Sequence, residues 1–332
     1  MQRSGILCAG AWCVDQNIAI DTWPSEEGLA RGYSETLYGG CPGHNMSTAL
    51  KRLDASFPVE AMGLLGHDAN GQMLTGICDD LGIERRALAM REGVATARTL
   101  VMTARDSRKR TFIYLPGAHA LQTPDDFDFS KTSTRIVHLG LPTLHEKLDA
   151  PWNGDASGWI AILKKARKHG LKTNMEMVSV SAEQIRAIAR PMLSHLDTLV
   201  INDHEAGAIA GLKAHDDPAA CRTAAESIMA MSGLERIAVH FPKGGIVMDR
   251  SGAVVEMPSV NVPPEVVVGN NGAGDSFAAG ILYGYHEGWP LEKSLRLAHA
   301  SAAASLRSET TTGAIIPWQE CLALAEGWGW RT

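Results

Sequence analysis

The feature that most constrains the fold of this 332-residue chain is a regular alternation of strand-like and helix-like segments in its second half. Strands are predicted at 135–139, 172–177, 198–201 and 236–240, and helices at 158–169, 182–193, 205–211 and 219–231. Such alternation predicts a parallel sheet covered by helices on both faces, because each crossover helix packs back onto the sheet.

The first half carries a second pattern. A buried first strand is expected before Asp15, a strand at 59–65, and helices at 46–53 and 72–81. Residues 17–38 alternate loosely and predict exposed strands, and runs at 96–103 and 110–115 flank a polar turn and predict a hairpin. We expect these exposed strands to form an accessory sheet outside the main α/β layer.

Composition limits the class of protein. The chain is 45% hydrophobic and 20% charged, as is usual for a soluble globular protein, and its net charge of −6 argues against a nucleic-acid surface. No segment reaches the length of a transmembrane helix, and the N-terminal stretch has too little positive charge for a signal peptide. The six cysteines show no metal-binding spacing, which favours a reduced, cytoplasmic compartment. Length alone suggests two domains, but α/β folds of this size are often one, and we expect a single domain over 1–332.

A glycine loop at 269–274 follows the apolar run 266–268 and opens a helix-like segment to about residue 285. A strand, a glycine loop and a helix N-terminus together form an anion site, since amide groups and the helix dipole point at the ligand. The spacing is close to that of a phosphate-binding P-loop, but Asp275 stands where the lysine belongs.

This difference indicates the chemistry. A carboxylate beside phosphates would repel them, so the amides of Ala273, Gly274 and Asp275 would have to bind the anion. The carboxylate of Asp275 could then accept a proton from a neutral hydroxyl group, as in phosphoryl transfer to an alcohol. The alternative is an ordinary glycine turn with Asp275 in the first helical turn.

Further polar residues lie at predicted strand ends, where open parallel sheets bind ligands. Each has a structural alternative: Asp15 could cap a turn, Asn45 could lie on a helix face after a tight glycine turn, and His299 could be a packing residue. Asp68 reads as structural, and Glu176, at a strand end, could contact substrate or metal or be solvated.

Asn202 and Glu205 lie three residues apart at the start of a helix. Their oxygens suit a water-rich Mg²⁺ site. The same spacing is that of a capping box, in which each side chain bonds the backbone of the other. The two interpretations are compatible.

Four ordered blocks span nearly the whole chain and together resemble the ribokinase-like, or PfkB-type, carbohydrate kinase family. They are Asp15 with Gly39, Gly40 and Asn45; residues 66–71; residues 202–205; and Gly272-Ala273-Gly274-Asp275. The segments 297–300 and 313–314 are similar to the end of ribokinase.

The resemblance implies a ribokinase-like three-layer α/β/α sandwich with a mainly parallel central sheet, plus a small β-sheet lid formed by about 16–38 and 96–115. It also implies the site residues, with Asp275 as the catalytic base. The amides of Gly272, Ala273 and Gly274 would form the anion hole. Substrate hydroxyls would be held by Asp15, Gly39, Gly40, Asn45 and Asp275. The expected ATP-binding residues are Asn202, Glu205, His240, Lys243, Gly245, Asn271, Gly272, Gly274 and His299. Mg²⁺ would be organised by Asn202 and Glu205 through water.

Three departures from the family pattern stand out. Gly269 replaces an aspartate that commonly helps to bind a monovalent cation, which weakens the case for activation by K⁺. Pro242 replaces a glycine on the nucleotide side. A strand that commonly ends in Asp-x-Asn reads Asn174-Met175-Glu176. None of these changes affects the base or the anion hole.

The sequence therefore predicts an ATP-dependent, Mg²⁺-requiring kinase that phosphorylates a hydroxyl, expected to be primary, of a sugar. A nucleoside kinase and a catalytically inactive sugar-binding or regulatory protein are the alternatives. Neither a nucleic acid nor a membrane is expected as a partner, and the exposed lid strands could pair in a homodimer.

Overall fold

A computed structural model describes residues 3–107, 109–178 and 180–332. The strands are Ile6–Gly10 (β1), Cys13–Ile20 (β2), Gly32–Gly40 (β3), Val59–Gly66 (β4), Glu84–Arg91 (β5), Arg98–Ala104 (β6), Arg110–Leu115 (β7), Ile136–Gly140 (β8), Lys172–Met175 (β9), Thr198–Asn202 (β10), Arg236–Phe241 (β11), Gly244–Asp249 (β12) and Val254–Pro258 (β13). The α-helices are Cys41–Arg52 (α1), Ala69–Asp80 (α2), Glu146–Asp149 (α3), Gly158–Lys168 (α4), Ala182–Met192 (α5), Asp203–Ala210 (α6), Pro218–Met231 (α7), Ala273–His286 (α8), Leu291–Ser305 (α9) and Trp318–Trp328 (α10).

The main sheet has nine strands in the order β13-β12-β11-β10-β9-β8-β1-β4-β5. Strand β1 pairs in parallel with β4 and β8, and only the edge pairs β11–β12 and β12–β13 are antiparallel. All five residues of β1 are buried, with Ile6 and Cys8 in one core and Leu7 and Ala9 in the other. This two-sided burial confirms the predicted parallel sheet, since such strands are apolar on both faces.

Helices cover both faces of this sheet. Leu50 of α1, Phe277 of α8 and Leu295 of α9 belong to one core, and Trp159 of α4 and Ile228 of α7 belong to the other. The helices α8 and α9 approach so closely that a Cβ at Gly280 would lie 2.5 Å from the Cα of Ala298. This packing fixes the direction of α8, whose N-terminus carries the glycine loop.

A second, four-stranded sheet has the order β3-β2-β6-β7. Its strands lie within the segments predicted as the lid, about 16–38 and 96–115, except that β2 begins at Cys13 and β3 continues to Gly40. The predicted hairpin is present as the antiparallel pair β6–β7. We call this sheet the lid.

The strand expected before the glycine loop is absent: Pro264–Val266 forms a 3₁₀ turn instead. Pro263 and Pro264 explain the error, because proline cannot donate to a sheet ladder. The helix expected from residue 46 begins earlier, at Cys41, with a proline in its first turn. Three strands were not predicted, namely β5, β12 and β13.

None of the helices in the described ranges is long and apolar enough to cross a membrane. All six cysteines lie in these ranges, and each is a free thiol.

Candidate active site

The N-terminus of α8 is built on a glycine turn. Gly272 caps the helix with φ of 75°, and a Cβ at this position would lie 2.5–2.7 Å from atoms of Thr311. Only glycine fits both the left-handed backbone and the close approach. The first amide groups of a helix have no acceptor within it, so the amides of Ala273 and Gly274 are available to an anion at the positive end of the helix dipole.

Two neighbouring clefts meet at this turn. The smaller, of about 370 Å³, is lined by the predicted residues Asp15, Asn45, Asn202, Glu205, His240, Asn271, Gly274 and Asp275. The larger, of about 660 Å³, is lined by the predicted residues Asn202, His240, Ala273, Gly274 and His299. Gly274 therefore borders both clefts, whereas Gly39, Gly40 and Gly272 line neither.

Asp275 lies in the first turn of α8, where its Oδ2 accepts a hydrogen bond from Asn45 Nδ2 at 2.9 Å. Asn45 is held in turn, because its Oδ1 accepts from Thr311 Oγ1 at 2.8 Å. Burial, followed by the charge and hydrogen bond of Glu176, raises the pKa of Asp275 well above its usual range, while Asn45 lowers it. The carboxyl group thus has the proton affinity that a general base needs.

Glu176 follows β9, and its carboxyl group lies close enough to that of Asp275 for each to shift the pKa of the other. Burial raises the pKa of Glu176 to about 7, with the bond to Asp275 lowering it and the charge of Glu205 adding to the rise. Two carboxyl groups this close favour a shared proton, because ionising both is costly. Glu176 lines the smaller cleft, so both interpretations from the sequence, contact with substrate or metal and solvation, stay predictions.

His138 stands behind Glu176, with its Nε2 3.3 Å from Glu176 Oε2 and its Nδ1 2.7 Å from Asn174 Oδ1. Asn174 donates its Nδ2 to Thr198 Oγ1 at 2.9 Å, which leaves its Oδ1 to accept and assigns the histidine proton to Nδ1. Burial lowers the pKa of His138, so the neutral ring presents Nε2 as an acceptor. His138 was not predicted from the sequence. The signal that could have identified it is a histidine within the otherwise apolar strand Ile136–Gly140.

The lid contributes Asp15. Burial raises the pKa of Asp15 to about 6, while hydrogen bonds with Cys13 and Thr99 lower it and Asp275 raises it. A Cβ at Gly40 would lie 2.5–2.7 Å from the carboxylate of Asp15, and one at Gly39 would collide with the ring of His44. The two predicted glycines therefore allow the ring of His44 and the carboxylate of Asp15 to lie close to the backbone.

Asn202 and Glu205 form the capping box of α6. Glu205 N donates to Asn202 Oδ1 at 2.9 Å, and Asn202 N donates to Glu205 Oε2 at 3.1 Å. In the described ranges, no group of three or more His, Cys, Asp or Glu side chains could hold a metal ion. Since both residues line the smaller cleft, they fit a Mg²⁺ ion that keeps most of its waters.

A row of aromatic rings borders the larger cleft. The ring centroids of His240 and Phe277 lie 5.0 Å apart, and those of Phe277 and His299 5.2 Å. Burial and then the charge of His240 lower the pKa of His299 to about 3, so its ring is neutral. His299 Nε2 is buried without a hydrogen-bond partner among the described residues, and a Cβ at Gly245 would lie 3.0 Å from it. His299 also lines the larger cleft, where its neutral ring suits contact with an aromatic base.

Two residues that were predicted to bind the nucleotide line neither of the two clefts. Lys243 and Gly245 line a third cavity of about 860 Å³, which shares Phe241, Val262 and Arg331 with the larger cleft. The Nζ of Lys243 lies 3.1 Å from Asp216 Oδ2, in an ion pair at the rim.

Comparison with solved structures identifies the fold. Arabidopsis thaliana ribokinase, in a structure complexed with ribose and ATP, aligns with a TM-score of 0.80 at 20% identity over 98% of this chain and 99% of its own. Burkholderia thailandensis nucleoside kinase in complex with inosine aligns with a TM-score of 0.73 at 17% identity over 99% of this chain and 100% of its own. The fold is therefore that of the ribokinases.

Comparison of sequences gives the family. The chain is 21% identical over 331 residues to the ribokinase of Haemophilus influenzae, covering 98% of this chain and 99% of the relative. The model of the pfkB family carbohydrate kinases matches residues 6–319, and the chain belongs to that family. It is a phosphotransferase of the ribokinase-like group.

Proposed function

We propose that this protein is an ATP-dependent kinase that transfers the γ-phosphoryl group to a hydroxyl, a primary one, of a sugar or sugar-like compound. The observation that carries the proposal is the position of the α8 N-terminus between the two clefts. Gly274 borders both, and Asp275 faces the smaller one. A phosphate held at the amides would thus meet a hydroxyl held beside the carboxylate.

The residues divide the chemistry among them. Asp275 accepts the proton of the attacking hydroxyl, and Asn45 and Asp15 bind and orient the acceptor. The amides of residues 272–274 stabilise negative charge on the transferred group. Asn202 and Glu205 would hold Mg²⁺ through water, and the ion would supply further charge neutralisation. His299 would contact the adenine of ATP.

The first experiment measures ADP release with a panel of sugars, sugar acids, sugar phosphates and nucleosides, for the wild type and Asp275→Asn. By the usual contribution of a general base, we expect the variant to lose about 10²–10⁴-fold in turnover. Its ADP affinity, measured by calorimetry, should be unchanged. Turnover like that of the wild type in the variant would refute the role of Asp275.

Each reaction is also run with and without K⁺, because Gly269 offers no carboxylate to a monovalent cation. ADP and acceptor binding without any ADP release would indicate a catalytically inactive sugar-binding protein instead.

A nucleoside is the second candidate acceptor, and the apolar part of the smaller cleft favours it. Phe112 on the lid faces this cleft together with Leu144 and Met177. Such side chains suit a flat base better than free sugar hydroxyls. Phe112→Ala should raise KM for a nucleoside and leave KM for a free sugar unchanged; an equal effect on both would exclude this candidate.

We also propose that the lid forms a homodimer. Leu37, Ile113 and Leu115 are exposed, and the strand registers place them on the face of the lid opposite Asp15. An exposed apolar sheet face next to open strand edges favours pairing. Ile113→Lys should convert a dimer to a monomer in sedimentation experiments, whereas a monomeric wild type would contradict the proposal.

A further inference from the structure

One side chain of the lid reaches the glycine loop across 160 residues of sequence. The guanidinium of Arg110, at the start of β7, donates a hydrogen bond to Asn270 Oδ1. Asn270 lies two residues before Gly272 and lines the larger cleft. The lid therefore places a positive charge beside the loop whose amides face the anion site.

The strand register places Arg110 on the same face of the lid as Asp15. Asp15 pairs with Thr99, and Thr99 pairs with Tyr114. Because side chains alternate along a strand, residues 112 and 110 project on the same face as Asp15. Phe112, which lines the smaller cleft, and Arg110 thus both face the site, and the Arg110 guanidinium lies 5.9 Å from the centroid of the Phe112 ring.

The charge balance of the clefts indicates a use for this arginine. The smaller cleft is lined by the carboxylates Asp15, Glu176, Glu205 and Asp275, and by no lysine or arginine of the described ranges. Of the described residues that line the larger cleft, Arg331 is the only lysine or arginine, and it lies beside the C-terminal residue. A phosphoryl group passing between the clefts would thus meet carboxyl groups but no cationic side chain from the lining of the smaller cleft in the described ranges, whereas phosphoryl transfer depends on charge stabilisation of its oxygens.

We propose that Arg110 is a further catalytic residue of this enzyme, carried by the lid, whose guanidinium binds the oxygens of the transferred phosphoryl group. The proposal rests on the proposed kinase function. A planar guanidinium donates two parallel hydrogen bonds to a phosphoryl group in a fixed geometry, whereas a lysine ammonium acts as a point charge. Asn270 orients the guanidinium towards the loop.

The test compares Arg110→Ala and Arg110→Lys with Arg105→Ala, a matched control in the same hairpin. Arg105 is exposed and its guanidinium lies 4.6 Å from the centroid of the Tyr33 ring, away from Asn270. Turnover is measured with the best acceptor of the panel. Calorimetry gives Kd for ADP and for the non-hydrolysable ATP analogue AMP-PNP, both with Mg²⁺.

We expect Arg110→Ala to lose about 10²–10³-fold in kcat, as when one transition-state donor is removed. This variant should bind ADP as the wild type does, but its preference for AMP-PNP over ADP should fall. Arg110→Lys should recover part of kcat and part of the nucleotide preference. Arg105→Ala should match the wild type in both. Unchanged kcat and nucleotide preference in Arg110→Ala would overturn the proposal.

Two outcomes distinguish a catalytic arginine from a structural tether and from a failure of the proposed function. If Asn270→Ala loses as much kcat as Arg110→Ala and neither changes the nucleotide preference, Arg110 only tethers the lid and the proposal is wrong. If the wild type phosphorylates no acceptor, the proposed function fails. The ratio of the two Kd values would still test contact between Arg110 and the terminal phosphate.

Discussion

Replacing Glu176 by glutamine should move the acidic limb of the pH dependence of kcat/KM to lower pH. If Asp275 is the base, as we propose, it must be ionised to accept a proton, and burial followed by the negative charge of Glu176 raises its pKa. Activity should therefore rise with pH as Asp275 loses its proton. Removing the neighbouring charge lowers the pKa of Asp275, so the rise should begin at a lower pH.

The size of the shift follows from Coulomb's law. Two unit charges about 4 Å apart interact by roughly 4 kcal/mol at an effective dielectric constant of about 20. Since one pKa unit corresponds to about 1.4 kcal/mol, the upper limit is about 3 units. Both side chains line an open cleft, where water screens part of the interaction. We therefore expect a shift of about 1–3 units.

The assay is kcat/KM for the acceptor from about pH 5 to 9, which reports the essential groups of the free enzyme. Glu84→Gln is the matched control, because it makes the same change in net charge at an exposed position of the edge strand β5. An acidic limb that stays in place in Glu176→Gln, or moves equally in Glu84→Gln, would refute the coupling of Glu176 to Asp275.

Two further predictions concern stability and acceptor binding. Because the pKa of Asp275 is raised in the folded state, its contribution to stability is present below the unfolded pKa of about 3.9 and is lost as pH rises through the folded pKa. Asp275→Asn should therefore raise the calorimetric unfolding midpoint more at pH 8 than at pH 5, and an equal or opposite change would contradict the assigned direction. Gly40→Ala should displace the Asp15 carboxylate and raise the acceptor KM by about 10–100-fold, given the cost of misplaced binding groups, with ADP affinity unchanged. Gly76→Ala, where a Cβ meets nothing within 4 Å, is its control.

The layers of the fold were predictable because each depends on local periodicity. The apolar strands and the helices between them specify a parallel sheet without knowledge of any distant contact. The antiparallel strands β12 and β13 at one side of the sheet were missed, since their short apolar segments carry no clear period. The strand predicted before the glycine loop is absent. Its apolar run is typical of a strand, but the two prolines that precede it cannot donate hydrogen bonds to a sheet.

The candidate site was predictable only in part. The pairing of Asn45 with Asp275 joins residues 230 positions apart, and it was expected through the resemblance rather than from spacing. The contact of Glu176 with Asp275 depends on how far one strand extends beside a helix N-terminus. No local pattern encodes that distance, and the same holds for His138.

The lid adds a thermodynamic consequence to this geometry. Asp15, which we propose binds the acceptor, and Arg110, which we propose binds the phosphoryl group, project from one face of the same small sheet. A movement of the sheet that favours one contact therefore changes the free energy of the other. By linkage, if the acceptor tightens nucleotide binding by some factor, the nucleotide must tighten acceptor binding by the same factor. If both proposals hold, the sheet would couple the two ligands without a separate regulatory site, because the pairing between β2, β6 and β7 joins Asp15 to Arg110.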